Sequence, residues 1–292
     1  MIEINHLCFL SDIIEIMTNL SLTEDNTLCQ AIANGNLKTV QDLVLSCVNI
    51  EEKNSHGQTP LHFAVSEYQI PIIEFLLQQG AKIDEKDQYG DTPLQTAVSR
   101  CYIPIVEILI NNGANIEVKC DANLRTPLQI ASERGHVELV QMLITKGAKI
   151  NAKDFHGFTS LHIAASHQQN QTLEVLLQNG ANIEAQKNIF GRTPLHMPIR
   201  DTFTTRSIEI LIRKGANLDA KDRNSHTPIH LAVWRKTLGI VAILARSGAS
   251  LKIRNQDGLT PLEVALILNV SSWNYERKLN LIKILTYSEM MK

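Results

Sequence analysis

The sequence predicts an all-α fold, a solenoid of stacked helix–turn–helix units. Two periodic signals and one pattern inside each period carry that prediction. A nine-residue phrase returns seven times, in steps of 33 or 34 residues. It reads GQTPLHFAV from Gly57, GDTPLQTAV from Gly90, LRTPLQIAS from Leu124 and GFTSLHIAA from Gly157. It continues as GRTPLHMPI from Gly191, SHTPIHLAV from Ser225 and GLTPLEVAL from Gly258. A Gly-Ala pair keeps the same beat at Gly80, Gly113, Gly147, Gly180, Gly215 and Gly248. Between these markers apolar residues recur at helical spacing. No single period can bury its own apolar stripe, so neighbours must stack to make a core.

Taken in chain order, residues 1–22 are read as an N-terminal amphipathic capping segment. Leu7, Leu10, Ile13, Ile14 and Met17 lie at helical spacing, while Glu3, Asp12 and Glu15 interrupt the apolar run. The segment has no basic leader and no small-residue cleavage site, so it is not read as a signal peptide. Residues 23–288 form the repeat domain, with about eight repeats of which the first and last diverge. Repeat one has Asn26 at the cap position and keeps phase through Leu28, Ala31, Gly35, Val40 and Leu43. It lacks Thr-Pro, and Cys47 stands in place of the closing glycine.

Repeat four shows the anatomy of the inner copies. Thr126 caps a short helix, Pro127 supplies the φ of its first turn, and Gln129 completes a capping box, as do Thr92 with Gln95 and Thr260 with Glu263. Gly135 turns the chain. A second helix then carries Val137, Leu139, Val140, Leu143 and Ile144 on one stripe. Gly147 follows where a positive φ ends the helix. The polar stretch before the next Thr-Pro has no helical period and reads as a turn or hairpin. In the last repeat, extra residues around Val270 to Tyr275 precede a closing helix over Leu281 to Leu285. End repeats differ because one face meets water.

The TPLH-x-A phrase at Thr59 to Ala64, its six further copies and the VxxLL-xx-GA pattern behind each resemble the ankyrin repeat. The resemblance covers roughly residues 24 to 288. It implies helix–turn–helix units with short β-hairpin fingers, whose tips and first helices line a concave groove. It also implies a non-catalytic protein-interaction module, and that His62, His162, His196 and His230 hydrogen-bond the backbone of neighbouring loops.

Bulk properties agree with such a protein. Formal charge is −2 and 44% of the 292 residues are apolar; mean hydropathy is −0.07. No global field draws the chain to nucleic acid or an anionic membrane, and no apolar run reaches the ~18 residues of a membrane helix. Five scattered cysteines without CxxC spacing read as reduced thiols, which places the chain in the cytoplasm or nucleus, as a monomer. Sequons at Asn19, Asn170 and Asn269 are chance matches in that setting.

Catalytic motifs are absent: GxGxxG, GxxxxGK, HExxH and GxSxG do not occur. His226 and His230 have a metal-like i, i+4 spacing, but no further ligand set accompanies them. The expectation is no catalytic residue, metal or cofactor. Function then falls to a binding surface with a protein partner.

The resemblance assigns the variable groove positions to the finger tips and to the ends of the first helices. Seven of the twelve arginines fall on them: Arg100, Arg125, Arg134, Arg192, Arg200, Arg223 and Arg235. Tyr89, Phe155, Phe158, Phe190 and Trp234 fall there too. Arginine and large aromatics dominate interface hot spots, and the guanidinium fork suits carboxylates and phosphates. These twelve residues are the candidate partner-binding set, and an acidic or phosphorylated protein segment is the expected ligand. The competing arrangement packs the rings finger on finger and pairs the arginines with local carboxylates. An inhibitory or regulatory protein that masks a signalling partner is an alternative of the same kind. A ubiquitin-ligase adaptor is disfavoured, because about 22 residues before the repeats leave no room for a ligase-binding box.

Two further positions stand out. Pro198 occupies the alanine position of repeat six, where its ring removes the bond to the Pro194 carbonyl and predicts a short or kinked first helix. Repeat six is also one residue longer from Thr193 to Gly215, and DTFTT replaces its usual turn, which predicts a bulge. The family's finger asparagine, a hydroxylation site, corresponds to Asn151, although Lys149 stands where the family prefers an acidic residue.

Overall fold

The computed structural model describes residues 27–119, 123–186, 189–199, 205–268 and 275–290. The N-terminal segment, Arg200 and residues 201–204 of the DTFTT stretch lie outside them. The described residues fall into two compact units, one within residues 1–88 and one within 89–292.

In the first unit, α1 (Thr27–Ala33) and α2 (Leu37–Leu45) form one helix pair, and α3 (Pro60–Ser66) and α4 (Ile70–Gln78) the next. Stacking is first helix on first and second on second, α1 against α3 and α2 against α4. The second unit repeats the plan with α5 (Pro93–Ser99) and α6 (Ile103–Asn111), α7 (Pro127–Arg134) and α8 (Val137–Thr145), and α9 (Ser160–Ser166) and α10 (Asn170–Gln178). A 3₁₀ turn (Pro194–His196) and α11 (Thr205–Arg213) come next, followed by α12 (Pro228–Trp234) and α13 (Leu238–Arg246), then α14 (Pro261–Ile267) and α15 (Tyr275–Met290). The fold is an all-helical repeat stack, as the periodicity predicts.

Each period builds its helices the same way. Thr92, Thr126 and Thr260 close the expected capping boxes with Gln95, Gln129 and Glu263. Thr59, Thr159, Thr193 and Thr227 close the same box with histidines, a second use of those rings that the sequence reading did not anticipate. The residue after the helix-opening proline (Leu61, Leu94, Leu128, Leu195, Ile229), and Leu161 after Ser160, is fully buried; in the last repeat Leu262 after Pro261 is half-buried. Second helices bury pairs such as Val106 and Leu109, Val140 and Leu143, and Val241 and Leu244. Each such aliphatic side chain contributes about 1.5–3 kcal/mol of burial. Gly147 stands at φ 95° just past α8, as its place in the period requires.

Repeat six departs as Pro198 predicts. Its first helix is reduced to one 3₁₀ turn, and Met197 caps it by donating its N–H to the Pro194 carbonyl. The turn still packs between α9 and α12, so Leu195 and Ile199 stay in the core.

The fingers are turns rather than strands, and no β-strand forms among the described residues. The same backbone bond closes four of the tips: Asn54 N–H to Gln58 O (3.0 Å), Asp154 to Phe158 (3.0 Å), Asp222 to His226 (2.9 Å) and Asn255 to Leu259 (2.9 Å). The leading Asn or Asp side chain also accepts the closing amide, for example Phe158 N–H to Asp154 Oδ1 at 2.8 Å. Neighbouring tips are joined by a single bond, such as Phe155 N–H to Asn123 O (2.8 Å) and Arg223 N–H to Phe190 O (2.9 Å). One bond per neighbour links the tips without building a ladder.

Candidate functional site

The second unit gathers most of the sequence-predicted site residues on its finger tips and first-helix ends. Among the tips, Tyr89 and Phe155 are each 67% exposed and Phe190 is 49% exposed. Phe158 turns inward instead, its ring 5.7 Å from that of His162. At the helix ends, Arg100 caps α5, exposed Arg134 closes α7, and Arg235 caps α12 just after Trp234. Trp234 is 57% exposed. Arg200 lies outside the described residues.

The arginines divide into two groups. Arg125 follows the competing expectation of local pairing, with Nη1 2.6 Å from Glu133 Oε2. So does Arg192, whose Nε lies 3.7 Å from the buried carboxylate of Asp222. Asp222 is held in turn by the tip it closes, accepting from the backbone N–H of Asn224 and His226. By contrast, Arg134 and Arg223 form no salt bridge among the described residues. Two arginines lie over exposed rings: Arg192 is 5.1 Å from the Phe190 centroid, and Arg235 is 5.1 Å from that of Trp234. A guanidinium over a ring keeps its edge donors available while shielding the apolar face.

Three of the four repeated histidines bond the neighbouring backbone as the resemblance implies. His162 Nε2 bonds the Arg192 carbonyl at 2.9 Å, His196 that of His226 at 3.2 Å, and His230 that of Leu259 at 3.1 Å. Each Nδ1 accepts from the threonine of its own repeat, at 2.8–2.9 Å from the hydroxyl. The neutral ring with its proton on Nε2 satisfies both sides. Burial pushes the pKa of His162 and of His196 down to about 4, and lowers that of His230. Each of these rings thus ties its own repeat to the next. Gln95 Nε2 and Gln129 Nε2 fill the same register, donating to the Arg125 and Phe158 carbonyls at 3.3 and 2.8 Å.

His226 Nδ1 lies 3.5 Å from Asp222, and its ring centroid is 6.1 Å from that of His230. Among the described residues, no three His, Cys, Asp or Glu side chains gather as a metal site, and no helix is long and apolar enough to cross a membrane. Asn151 is committed to the stack: its Oδ1 accepts from the Asn182 backbone N–H at 2.9 Å.

One cavity opens on this surface, with a volume of about 180 Å³. Its walls come from the tips before α7 and α9, the end of α7, the outer side of α9, and Met197 of the shortened turn. Glu133 lines it and was missed from sequence, although it follows its ion-pair partner Arg125 by eight residues.

Comparison with known proteins matches this architecture. Ankyrin repeats are recognised in three overlapping copies, over residues 28–120, 116–187 and 161–255. Alpha-latrotoxin-Lh1a of Latrodectus hasselti and alpha-latrotoxin-Lt1a of Latrodectus tredecimguttatus are each 30% identical over 83 residues. That stretch is 28% of this chain and only 6% of either toxin, so the likeness concerns the repeats and not the toxins as wholes. With Thr-Pro caps, inter-repeat histidines and stacked helix pairs recurring across the matched span, the chain belongs to the ankyrin repeat family.

Proposed function

We propose that the chain is a non-catalytic binding module that holds an acidic or phosphorylated protein segment along the finger tips and first-helix ends of its second unit. Ankyrin repeats generally mediate protein–protein interaction. What points to this face is the pairing of exposed rings with arginines, Phe190 with Arg192 and Trp234 with Arg235. Such pairs offer rigid apolar area and forked donors together, the chemistry of interface hot spots. Arg134 and Arg223, both exposed, add positive charge and form no salt bridge among the described residues.

The test is affinity capture with mass spectrometry, comparing the wild type with a variant carrying Glu at Arg192, Arg200, Arg223 and Arg235. Circular dichroism checks that the variant is folded. A partner held by the wild type and lost by the variant supports the reading. A partner held equally by both moves the site off this face.

A further inference from the structure

The cavity beside α9 has a composition that identifies what fills it. Its floor is apolar, made by Phe158, Ile163 and Met197, and several of its polar groups are already engaged. Arg125 donates to Glu133 at 2.6 Å. Asp154 accepts from the Phe158 amide of its own tip, and His167 Nδ1 bonds the Ile163 carbonyl at 3.0 Å. A charged guest would have to compete with the Arg125–Glu133 ion pair for one of its members. An uncharged guest leaves the pair intact and only removes water from the floor. A volume of about 150 Å³ suffices for a benzene-sized guest in an apolar cavity, so one side chain the size of Leu, Met or Phe fits.

The surroundings set the context of that side chain. Exposed Arg134 follows Glu133 directly, and His162, which lines the cavity, bonds the Arg192 carbonyl behind it. Acidic residues therefore suit the flanks of the guest and not its tip. The shortened helix contributes too, because Met197 caps the 3₁₀ turn that Pro198 enforces and so lines the cavity. We infer that this cavity is an anchor subsite for one uncharged aliphatic or aromatic side chain of an acidic partner segment. The inference rests on the proposed binding face and adds the rule by which it selects a segment.

The probe is a phage-displayed random dodecapeptide library panned on the full chain. Recovered peptides are then synthesised and titrated by fluorescence anisotropy against the wild type, Ser166→Trp and Arg223→Glu/Arg235→Glu. Ser166→Trp fills the mouth of the cavity from the end of α9. The expected peptides share one apolar residue between acidic ones. Replacing that residue by alanine, or filling the cavity, should weaken binding by about tenfold or more. The alanine peptide keeps the test valid if Ser166→Trp fails to fold. Peptides that share no apolar residue, or that lose less than about threefold on either change, overturn the anchor. If those same peptides still depend on Arg223 and Arg235, the binding face stands and only the anchor falls. If panning yields no peptide that binds the folded chain, both fall.

Discussion

Replacing His162 and His196 by glutamine should remove much of the acid sensitivity of the repeat stack. Both rings are buried neutral between two repeats, with pKa lowered from 6.5 to about 4 by desolvation. The unfolded chain takes up those protons near pH 6.5, while the folded chain resists until about pH 4. Between these values the unfolded state binds more protons, so stability falls as pH falls through that window and is complete above it. The interval corresponds to roughly 3 kcal/mol for each ring. Asp154 works in the opposite direction, because burial raises its pKa and favours its protonated form on acidification. The control is built into the chain, since Gln95 and Gln129 make the same inter-repeat bond without a titrating group. Urea unfolding followed by far-UV circular dichroism, from pH 7.5 down to 4.5, measures the effect. The double variant should match the wild type at neutral pH to within about 1–2 kcal/mol and exceed it by several at pH 4.5. Parallel pH profiles for the two proteins would refute the assignment of the acid response to these rings.

Further outcomes follow from other repeat positions. Pro198→Ala should restore a full first helix in repeat six and raise stability by about 1–3 kcal/mol in the same denaturation assay, since the equivalent residues Ala64, Ala97, Ala131 and Ala164 are fully buried without strain. Asn151→Ala should cost about 1 kcal/mol by orphaning the Asn182 amide. Asn151→Asp should be close to neutral, because Glu117, Glu184 and Asp219 accept the corresponding amide in other repeats.

The fold was legible because its information is local and repeated. Thr126-Pro127 specifies a helix start, Gly147 its companion's end, and each instruction recurs often enough to outweigh a defect such as Pro198. The hairpin reading went further than the structure, because one bond between tips such as Phe155 and Asn123 does not extend into a strand pair. The site was less legible. Position in the period marks Arg125 as a surface arginine, but not that Glu133 neutralises it. Nor does it distinguish Phe155, which faces solvent, from Phe158, which turns inward. The cavity was invisible because its lining joins Glu133, Phe158, Ile163 and Met197, whose proximity depends on how three successive repeats register.

The links between repeats also bear on how such a chain can grow. His162, Gln129 and Asn151 all address backbone atoms of the following repeat; every residue type offers the same carbonyl there, and all but proline the same amide. A duplicated copy inserted between two others would find its contacts already waiting, whatever side chains it displayed. The connection is thereby insulated from the surface, so tips such as Phe190 and Arg223 are free to diverge after duplication while the joint stays constant. A gene that lengthens by whole periods can acquire new recognition without first having to solve folding again.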